Sequence, residues 1–283
     1  MTLITLLLGL LLEHFIGPLE RFRRFGWFHA YAGRCQQYFG GMAFWEGPLG
    51  VLLVIVPPML LFWVFILAVN KLTLLVGVLI AFLTFVYCLG PRDLAQQAEE
   101  YLRAREDGDR EGLQGIRRQL ICTLRPQPQD PEAEAIPETL LVHASDRLFA
   151  LIFWFVVLGP FGALLFRLAS ELRRGESGPR QQGFAASADD LYAILDWLPA
   201  RLLALGFALA GSLTHALDAW RFPETMSLHD NQSVLRHTGM AALQLAEGVD
   251  EREAIAAVLQ LIRRTLYVWL TGLAVMTLGG WMA

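Results

Sequence analysis

Three clusters of polar residues adjoin apolar stretches of the sequence, and each combines side chains that could bind an anion. In the first, VHASDRLFALIFWF, His143, Asp146 and Arg147 are spaced i, i+3 and i+4, so they share one face of a predicted helix. One interpretation is a polar mouth for an anionic ligand where that helix enters a membrane. The other is an interfacial turn in which Arg147 extends to water and pairs with Asp146.

The second cluster is SADDLYAILDWLPARL, in which Asp196 and Arg201 follow the acidic pair Asp189 and Asp190. The earlier pair suits the first turn of a helix capped by Ser187, where the helix dipole favours negative charge. Carboxylates at the later positions could hold Mg²⁺ through a phosphate ligand, because Mg²⁺ binds one or two carboxylates together with phosphate oxygens. A structural role and a phosphate site both stay open.

The third cluster, LHDNQSVLRHTGMAAL, places Asn231 and Ser233 at the start of a predicted helix that also carries Arg236. The first backbone amides of a helix are free to bind an anion, so this end is a candidate ligand site. The alternative is a capped surface helix whose glycine and alanine residues permit close packing. The histidines here lack the i, i+4 pairing with a third ligand that zinc needs, so no metal site is predicted.

The signatures of common nucleotide-binding and hydrolytic enzymes do not occur in the sequence. It contains no GxxxxGK[ST], no GxGxxG after a strand, no HExxH and no GxSxG. The sequence therefore assigns no catalytic residue, and any enzymatic activity would need a less common arrangement.

Composition indicates that lipid surrounds much of the chain. Of 283 residues, 55% are hydrophobic and 18% are charged, and the mean hydropathy is +0.43; soluble domains carry about 25% charged residues. We predict an all-α, polytopic membrane helix bundle with kinked or broken helices and amphipathic cytoplasmic helices. The net charge of −4 and the pI near 5.9 argue against a nucleic-acid partner. Cys35, Cys88 and Cys122 have no CxxC spacing and are interpreted as free thiols.

Apolar runs of spanning length predict where the chain crosses the bilayer, since about 20 helical residues cross its core. Leu49–Val69 and Leu72–Leu89 are predicted to form an antiparallel transmembrane pair, with a bend at Pro57 and Pro58. The shorter run Leu3–Ile16 has no basic residue ahead of it and no cleavage pattern behind it. We therefore expect a retained helix that ends at a polar interface.

The second half of the chain contains a broken apolar run. Gly159 and Pro160 interrupt Leu148–Leu168, which predicts a broken or re-entrant helix. Such a break is tolerated at membrane depth only beside protein or a water-filled cavity, so it is also a site candidate. A purely structural kink is the alternative. Leu202–Leu217 is a weaker apolar segment, and Thr265–Met282 is a better span.

Residues Gly90 to Arg147 are polar and charged, and they predict a helical cytoplasmic insertion. Apolar residues recur there at helical spacing on both sides of GDREG, so we expect two amphipathic helices joined by this turn. Arginines flank several spans, which assigns those flanks to the cytoplasm under the positive-inside rule. The predicted division is membrane segments 1–89 with the hairpin 49–89, the insertion 90–147, and membrane segments 148–283 with amphipathic helices between them.

Four stretches of the sequence resemble the AmpE family of Gram-negative inner-membrane proteins, which is related to the CobD/CbiB membrane enzymes of cobalamin biosynthesis. They are LLLGLLLEHF, GPRDLAQQAEEYL, RLFALIFWFVVLGPFGALLFRL, and DWLPARLLALGFALAG followed by the segment from Asn231 to Leu243. The resemblance covers essentially the whole chain. It implies a multi-pass protein of the bacterial inner (cytoplasmic) membrane that modulates β-lactamase induction beside the amidase of peptidoglycan recycling.

The CobD/CbiB kinship implies a different activity, the ATP-dependent joining of an aminopropanol-type amine to a corrinoid carboxylate, with ATP and Mg²⁺ as cofactors. The sequence departs from those enzymes in two places. Where they carry Glu and Asn before Asp-Gly, it reads His143, Ala144, Ser145, Asp146, Arg147, and where they carry Leu-Asp-Ser-Met it reads Leu168, Ala169, Ser170, Glu171. The resemblance implies a phosphate pocket whose surviving polar positions are Asp146, Glu171, Asp196, Arg201, Asn231 and Ser233.

Two functions therefore stay open: a non-enzymatic modulator that senses cell-wall status, and a CobD/CbiB-like ligase. A muropeptide transporter is a third possible function, but the sequence lacks the inverted repeats that are common in such folds. The expected partners are the lipid bilayer, a cell-wall-derived or phosphate-bearing small ligand, and a protein in the membrane. The candidate ligand-binding residues are Glu13, His143, Asp146, Arg147, Glu171, Asp196, Arg201, Asn231, Ser233 and Arg236. Among them, Asp146, Arg147, Asn231 and Arg236 are predicted to line one polar pocket on the cytoplasmic side.

Overall fold

The computed structural model describes residues 9, 25–70, 74–89, 94–124, 135–175, 182–220, 228–246 and 248–279. Regular secondary structure in these ranges is helical, which confirms the predicted all-α class. The helices are α1 (Gly26–Phe39), α2 (Pro48–Asn70), α3 (Leu74–Cys88), α4 (Leu94–Glu106), α5 (Arg110–Leu124), α6 (Ile136–Ala144), α7 (Ala150–Arg174), α8 (Gln182–Ala210), α9 (Leu213–Trp220), α10 (Asn231–Leu243) and α11 (Glu251–Leu278), with a 3₁₀ turn at Ala43–Glu46.

The chain packs as two compact units, each assembled from separate parts of the sequence. The first unit comprises Met1–Pro91, Ala150–Leu195 and Met282–Ala283, and the second comprises Arg92–Phe149 and Asp196–Trp281. The division into 1–89, 90–147 and 148–283 groups residues by their order along the chain, and it stays a prediction.

In the first unit, α2 and α3 contact each other, and both contact α7. The two apolar runs therefore form a packed helical pair, and the prediction that both cross the membrane in antiparallel directions stays a prediction. Helix α3 has 15 residues, fewer than the apolar run from which it was predicted. Helix α2 continues through Pro57 and Pro58. The bend expected there stays a prediction.

Four helices in the described ranges are long and apolar enough to cross a membrane. Only 22% of the most apolar window of the first is buried, and large apolar side chains such as Leu61, which is 74% exposed, point away from the protein on this helix. An apolar surface of this kind suits lipid. The chain is a multi-pass membrane protein, with candidate spans Pro48–Val69, Ile136–Arg174, Gly183–Ala210 and Glu251–Leu278.

Three of these helices are longer than the sequence analysis predicted. The span expected at Leu148–Leu168 extends from Ile136 to Arg174 and includes α6, which lies inside the predicted polar insertion. The α6 segment IPETLLVHA is apolar and almost wholly buried, and a proline lies in its first turn. Helices α8 and α11 likewise each join an amphipathic segment to the apolar run that follows it. No turn residue separates the two parts, so each pair forms one helix, and α8 continues through Pro199.

The predicted break in α7 is confirmed at Gly159, whose backbone has φ 64° and ψ −152°. This conformation is essentially restricted to glycine, since a Cβ would clash with the backbone. Pro160 follows and has no N–H to continue the hydrogen-bond ladder.

Substitution of Gly159 by Ala is expected to lower the free energy of unfolding by about 1–3 kcal/mol, the cost of forcing a side chain into this backbone region. The matched control is Gly115→Ala in α5, where an added Cβ meets no atom within 4 Å. That variant should be neutral or stabilised by up to about 1 kcal/mol, because alanine favours helix. The measurement is SDS-induced unfolding in mixed micelles. Equal stabilities for the two variants would show that the break carries no strain.

In the second unit, α4 and α5 are the amphipathic helices predicted around GDREG. Their apolar stripes, represented by Ala98, Tyr101 and Leu120, are buried in a core shared with α6, the second half of α8, and α9 to α11. Helix α10 crosses close to α6, because a Cβ on Gly239 would lie 2.7 Å from Cδ1 of Leu141. The small residues of the third cluster therefore serve close packing.

Helix α4 is also tied to the start of α11 by polar contacts. The Tyr101 hydroxyl donates to Oε1 of Glu251 at 3.1 Å, and Arg105 pairs with the same carboxylate at 3.1 Å. Burial, followed by the charge of Glu251, raises the pKa of Tyr101. The phenol therefore stays protonated at neutral pH and remains a donor.

Candidate functional site

Buried polar side chains concentrate in the second unit, among helices with apolar cores. Burying a polar or charged group is costly unless it is hydrogen-bonded or paired, so each of these positions needs a partner. Those that are at most 9% exposed are Gln97, Thr139, His143, Ser145, Asp146, Arg147, Asp196, Arg201, Asn231, Gln232, Thr238 and Thr265.

Arg201 contributes a buried cation to this set. Its Nη1 donates to Oδ1 of Asn231 at 2.7 Å and to the backbone carbonyl of Trp197 at 2.9 Å. The guanidinium carbon lies 4.2 Å from the centroid of the Trp197 ring, within the range of a cation–π interaction. Asp196 and Asp230 also act on its charge. Helix α8 thus presents a buried cation to the first residue of α10.

Asp196 connects this cation to the first polar cluster. Ser145 donates its hydroxyl proton to Oδ1 of Asp196 at 3.1 Å, and both residues are at least 98% buried. Arg201 and Ser145 therefore act on the same aspartate, one by charge and one by hydrogen bonding. Two of the clusters selected from the sequence are in contact here, through a serine that the sequence analysis did not select.

A π-helical turn at Ser145–Phe149 changes the geometry of the first cluster. Asp146 and Arg147 lie in this turn and not in a regular α-helix, so the common helical face of His143, Asp146 and Arg147 stays a prediction. Nε2 of His143 donates to the carbonyl of Leu120 at 2.8 Å. Nη1 of Arg147 donates to Oε1 of Gln97 at 2.7 Å. Asp146 is buried with them, at 3% exposure.

The other predicted site residues are distributed as follows. Ser233 and Arg236 lie on α10 and are partly exposed. The contacts described above join Asn231 to Arg201, and Arg147 to Gln97. A single pocket lined by Asp146, Arg147, Asn231 and Arg236 stays a prediction. Glu13 lies outside the described residues.

Glu171 belongs to the first unit, where it lies in a buried ionic cluster. Its Oε1 is 2.8 Å from both Arg167 and Arg174, and its Oε2 accepts a hydrogen bond from Nε2 of His29 at 3.1 Å. Arg167 also lies 5.4 Å from the centroid of the Phe25 ring. One carboxylate thus serves two guanidinium groups and a histidine.

Gln97, Ser145 and Trp197 are partners in the buried polar set that were not selected from the sequence. Gln97 had a usable signal, since it lies three residues after Leu94 and falls within the apolar stripe of α4. Ser145 had none, because its contact depends on the π-helical turn. Among the described residues, no group of three or more His, Cys, Asp or Glu residues is arranged to hold a metal ion.

Comparison with known proteins gives a consistent family. The family described as CobD/Cbib protein matches residues 6–249. The cobalamin biosynthesis protein CobD of Stutzerimonas stutzeri is 30% identical over 250 residues, which cover 85% of this chain and 80% of that protein. The CobD of Chromobacterium violaceum is 28% identical over 249 residues, covering 79% and 77% of the two chains.

A protein with a different name is also similar. Protein AmpE of Shigella flexneri is 26% identical over 221 residues, covering 75% of this chain and 76% of that protein. No solved structure matches the chain. The bacterial relatives and the four membrane-capable helices identify a multi-pass bacterial membrane protein.

Proposed function

Because the chain belongs to the CobD/CbiB family, we propose that it is an inner-membrane ligand-binding protein whose site is built around Arg201 in the second unit. Within that family, we propose the role of a non-enzymatic modulator like AmpE, which couples cell-wall status to β-lactamase induction. Its ligand is a cell-wall-derived small molecule that carries an anionic group.

The observation that carries the proposal is the buried Arg201 guanidinium. It is always charged at physiological pH and offers five donors in a planar fork. It donates to the amide oxygen of Asn231 and to the carbonyl of Trp197, and the carboxylates of Asp196 and Asp230 also act on its charge, so the guanidinium is held in a fixed orientation where an anionic group could be recognised. Asn231 begins helix α10, and the backbone amides at the start of a helix also attract an anion.

One observation favours the AmpE-like role over catalysis. The positions at which this sequence departs from CobD/CbiB enzymes carry internal hydrogen bonds, such as those of His143 to Leu120 and Ser145 to Asp196. Side chains with such contacts serve the fold at places where the enzymes carry Glu and Asn.

The second candidate function is a CobD-like step in cobalamin biosynthesis, with ATP and Mg²⁺. It is favoured by 30% identity to a CobD over 85% of the chain. Asp196 would then contact the metal-bound phosphate, and Arg201 would balance its charge.

Two complementation assays separate these functions. We expect the wild-type gene to restore β-lactamase induction in an AmpE-deficient host and to leave a CobD-deficient host dependent on added cobalamin. Rescue of the CobD-deficient host, with no effect on induction, would reverse the assignment.

Ligand binding is tested on the purified protein in detergent. A muropeptide fragment should raise the unfolding temperature by several degrees, because a ligand that binds only the folded state stabilises it by mass action. ATP with Mg²⁺, or corrinoid acids, should change the unfolding temperature by less than about one degree. Arg201→Lys is the diagnostic variant, since it keeps the charge and loses the planar fork. An unchanged ligand response in this variant would contradict a site at Arg201.

A further inference from the structure

A small cavity of about 20 Å³ lies in the first unit, and its lining residues do not include those proposed to bind the ligand. Trp45, Phe184, His29, Gln36 and Leu172 are among its lining residues. The Trp45 and Phe184 rings are stacked, with centroids 4.8 Å apart and planes 10° from parallel. The cavity therefore has one flat aromatic wall and one wall that bears polar groups.

Trp45 is the unusual residue of this cavity. It is 1% exposed, and its indole Nε1 has no acceptor among the described residues. The indole N–H is a donor only, and such groups almost always find a partner when they are buried. An acceptor supplied from within the cavity would satisfy it. The volume is enough for one water-sized group.

The charges beside the cavity favour an anionic acceptor. His29 lines it and donates to Glu171, whose carboxylate also pairs with Arg167 and Arg174. Two guanidinium groups and a histidine thus surround this one carboxylate. Positive charge in a partly desolvated site attracts an anion more strongly than it would in water.

The position of the cavity along the spans indicates the source of that anion. Trp45 lies three residues before the span that begins at Pro48, Leu172 lies two residues before the end of the span at Arg174, and Phe184 lies one residue after the start at Gly183. Span ends lie at the membrane–water interface, where tryptophan is enriched and lipid phosphates are found.

We propose that this cavity binds a phosphate oxygen of an anionic phospholipid, which accepts the Trp45 indole N–H. The small volume takes one oxygen, so the remainder of the headgroup and the acyl chains lie outside the cavity. Phosphatidylglycerol fits this site better than phosphatidylcholine, because the guanidinium groups of Arg167 and Arg174 beside the cavity repel the choline cation.

The test is the unfolding temperature of the full chain, purified in lipid-free detergent, with added phosphatidylglycerol, phosphatidylcholine or inorganic phosphate. Phosphatidylglycerol should raise it by several degrees in the wild type and by less than about one degree in Trp45→Phe, which keeps the aromatic wall and removes the donor. The control is Trp27→Phe, whose indole donates to the hydroxyl of Tyr87 at 3.0 Å. It should respond to phosphatidylglycerol as the wild type does.

Each result decides the proposal. No lipid response in the wild type, or an equal response in Trp45→Phe, overturns it and leaves an ordered water as the acceptor. A Trp45-dependent response to inorganic phosphate but not to lipid overturns the lipid assignment and identifies a free phosphate site. If Trp45→Phe does not accumulate, the wild type labelled with ¹⁵N-tryptophan replaces it. A slowly exchanging indole resonance should then shift with phosphatidylglycerol and not with phosphatidylcholine, and no shift overturns the proposal.

Discussion

Replacement of Arg201 by Ala is expected to abolish the ligand-induced rise in unfolding temperature and to lower the free energy of unfolding by about 2–3 kcal/mol. The variant leaves Oδ1 of Asn231, a residue that is 4% exposed, without the donor 2.7 Å away. It also removes the cation that acts on Asp196, and an uncompensated buried charge is strongly destabilising. The stacking of the guanidinium on Trp197 is lost as well.

The control for this variant is Arg103→Ala. Arg103 pairs with Glu99 at 3.3 Å within α4, but its side chain is 73% exposed. Exposed pairs of this kind contribute at most about 1 kcal/mol, so this variant should keep both its stability and its ligand response. The free energy is measured by SDS titration in mixed micelles. If Arg201→Ala proves as stable as Arg103→Ala, the Arg201 contacts do not hold the second unit together.

Hydrophobic pattern was enough to predict the long elements of the fold. The length and composition of Leu49–Val69 predicted α2, and the apolar stripe around Tyr101 predicted α4 as an amphipathic helix. The boundaries of the later helices were not predicted correctly. In α8 and α11 the hydrophobic periodicity changes from amphipathic to uniformly apolar within one helix. In α11 no helix-breaking residue marks that change, and in α8 the backbone continues through Pro199.

The buried polar residues were predicted better than their contacts. Asp146, Arg147, Asp196, Arg201 and Asn231 stand out in the sequence because each interrupts or borders an apolar stretch, and all five are buried. Which atoms they contact depends on tertiary packing. The pairing of Arg147 with a glutamine 50 positions earlier has no local sequence signature.

The two packing units were also beyond local pattern. Each combines segments that are separated in sequence by more than 40 residues, such as Pro91 and Ala150 in the first unit. Helices α2 and α3 and the first half of α7 are uniformly apolar, and nothing in such a run specifies its neighbour. Gly159 is the exception, because a glycine directly before a proline inside an apolar run already indicated where the helix would break.

Loss of the Glu171 carboxylate should have the largest effect on the first unit. In Glu171→Ala, Arg167, whose side chain is 3% exposed, keeps its charge and loses the oxygen 2.8 Å away. Removing one partner of a buried ion pair costs about 3–5 kcal/mol, because the other charge stays desolvated. Arg174 is affected less, since its side chain is 13% exposed and reaches water more easily.

A matched pair of acid-to-amide variants separates charge from shape in this cluster. Glu171→Gln keeps the size of the side chain and one acceptor oxygen, so it should be destabilised, but by less than Glu171→Ala. Asp189→Asn makes the same chemical change at a carboxylate that is 55% exposed and 3.5 Å from Arg173. It should cost no more than about 1 kcal/mol. Equal losses would mean that burial does not determine the strength of the pair.

The double variant Arg167→Met/Glu171→Leu tests whether the cluster stabilises the unit or only penalises its own disruption. Replacing a buried ion pair with apolar residues of similar volume is often neutral or stabilising, because neither charge then needs to be desolvated. We expect the double variant to be more stable than Glu171→Ala by several kcal/mol, on the order of the 3–5 kcal/mol lost in the single variant. The SDS-unfolding free energies of the wild type, Arg167→Met, Glu171→Leu and the double variant form a double-mutant cycle. Strong coupling between the two residues appears as non-additive changes in these free energies. Additive losses would show that Arg167 and Glu171 stabilise the first unit independently, in contradiction to the geometry of the buried pair.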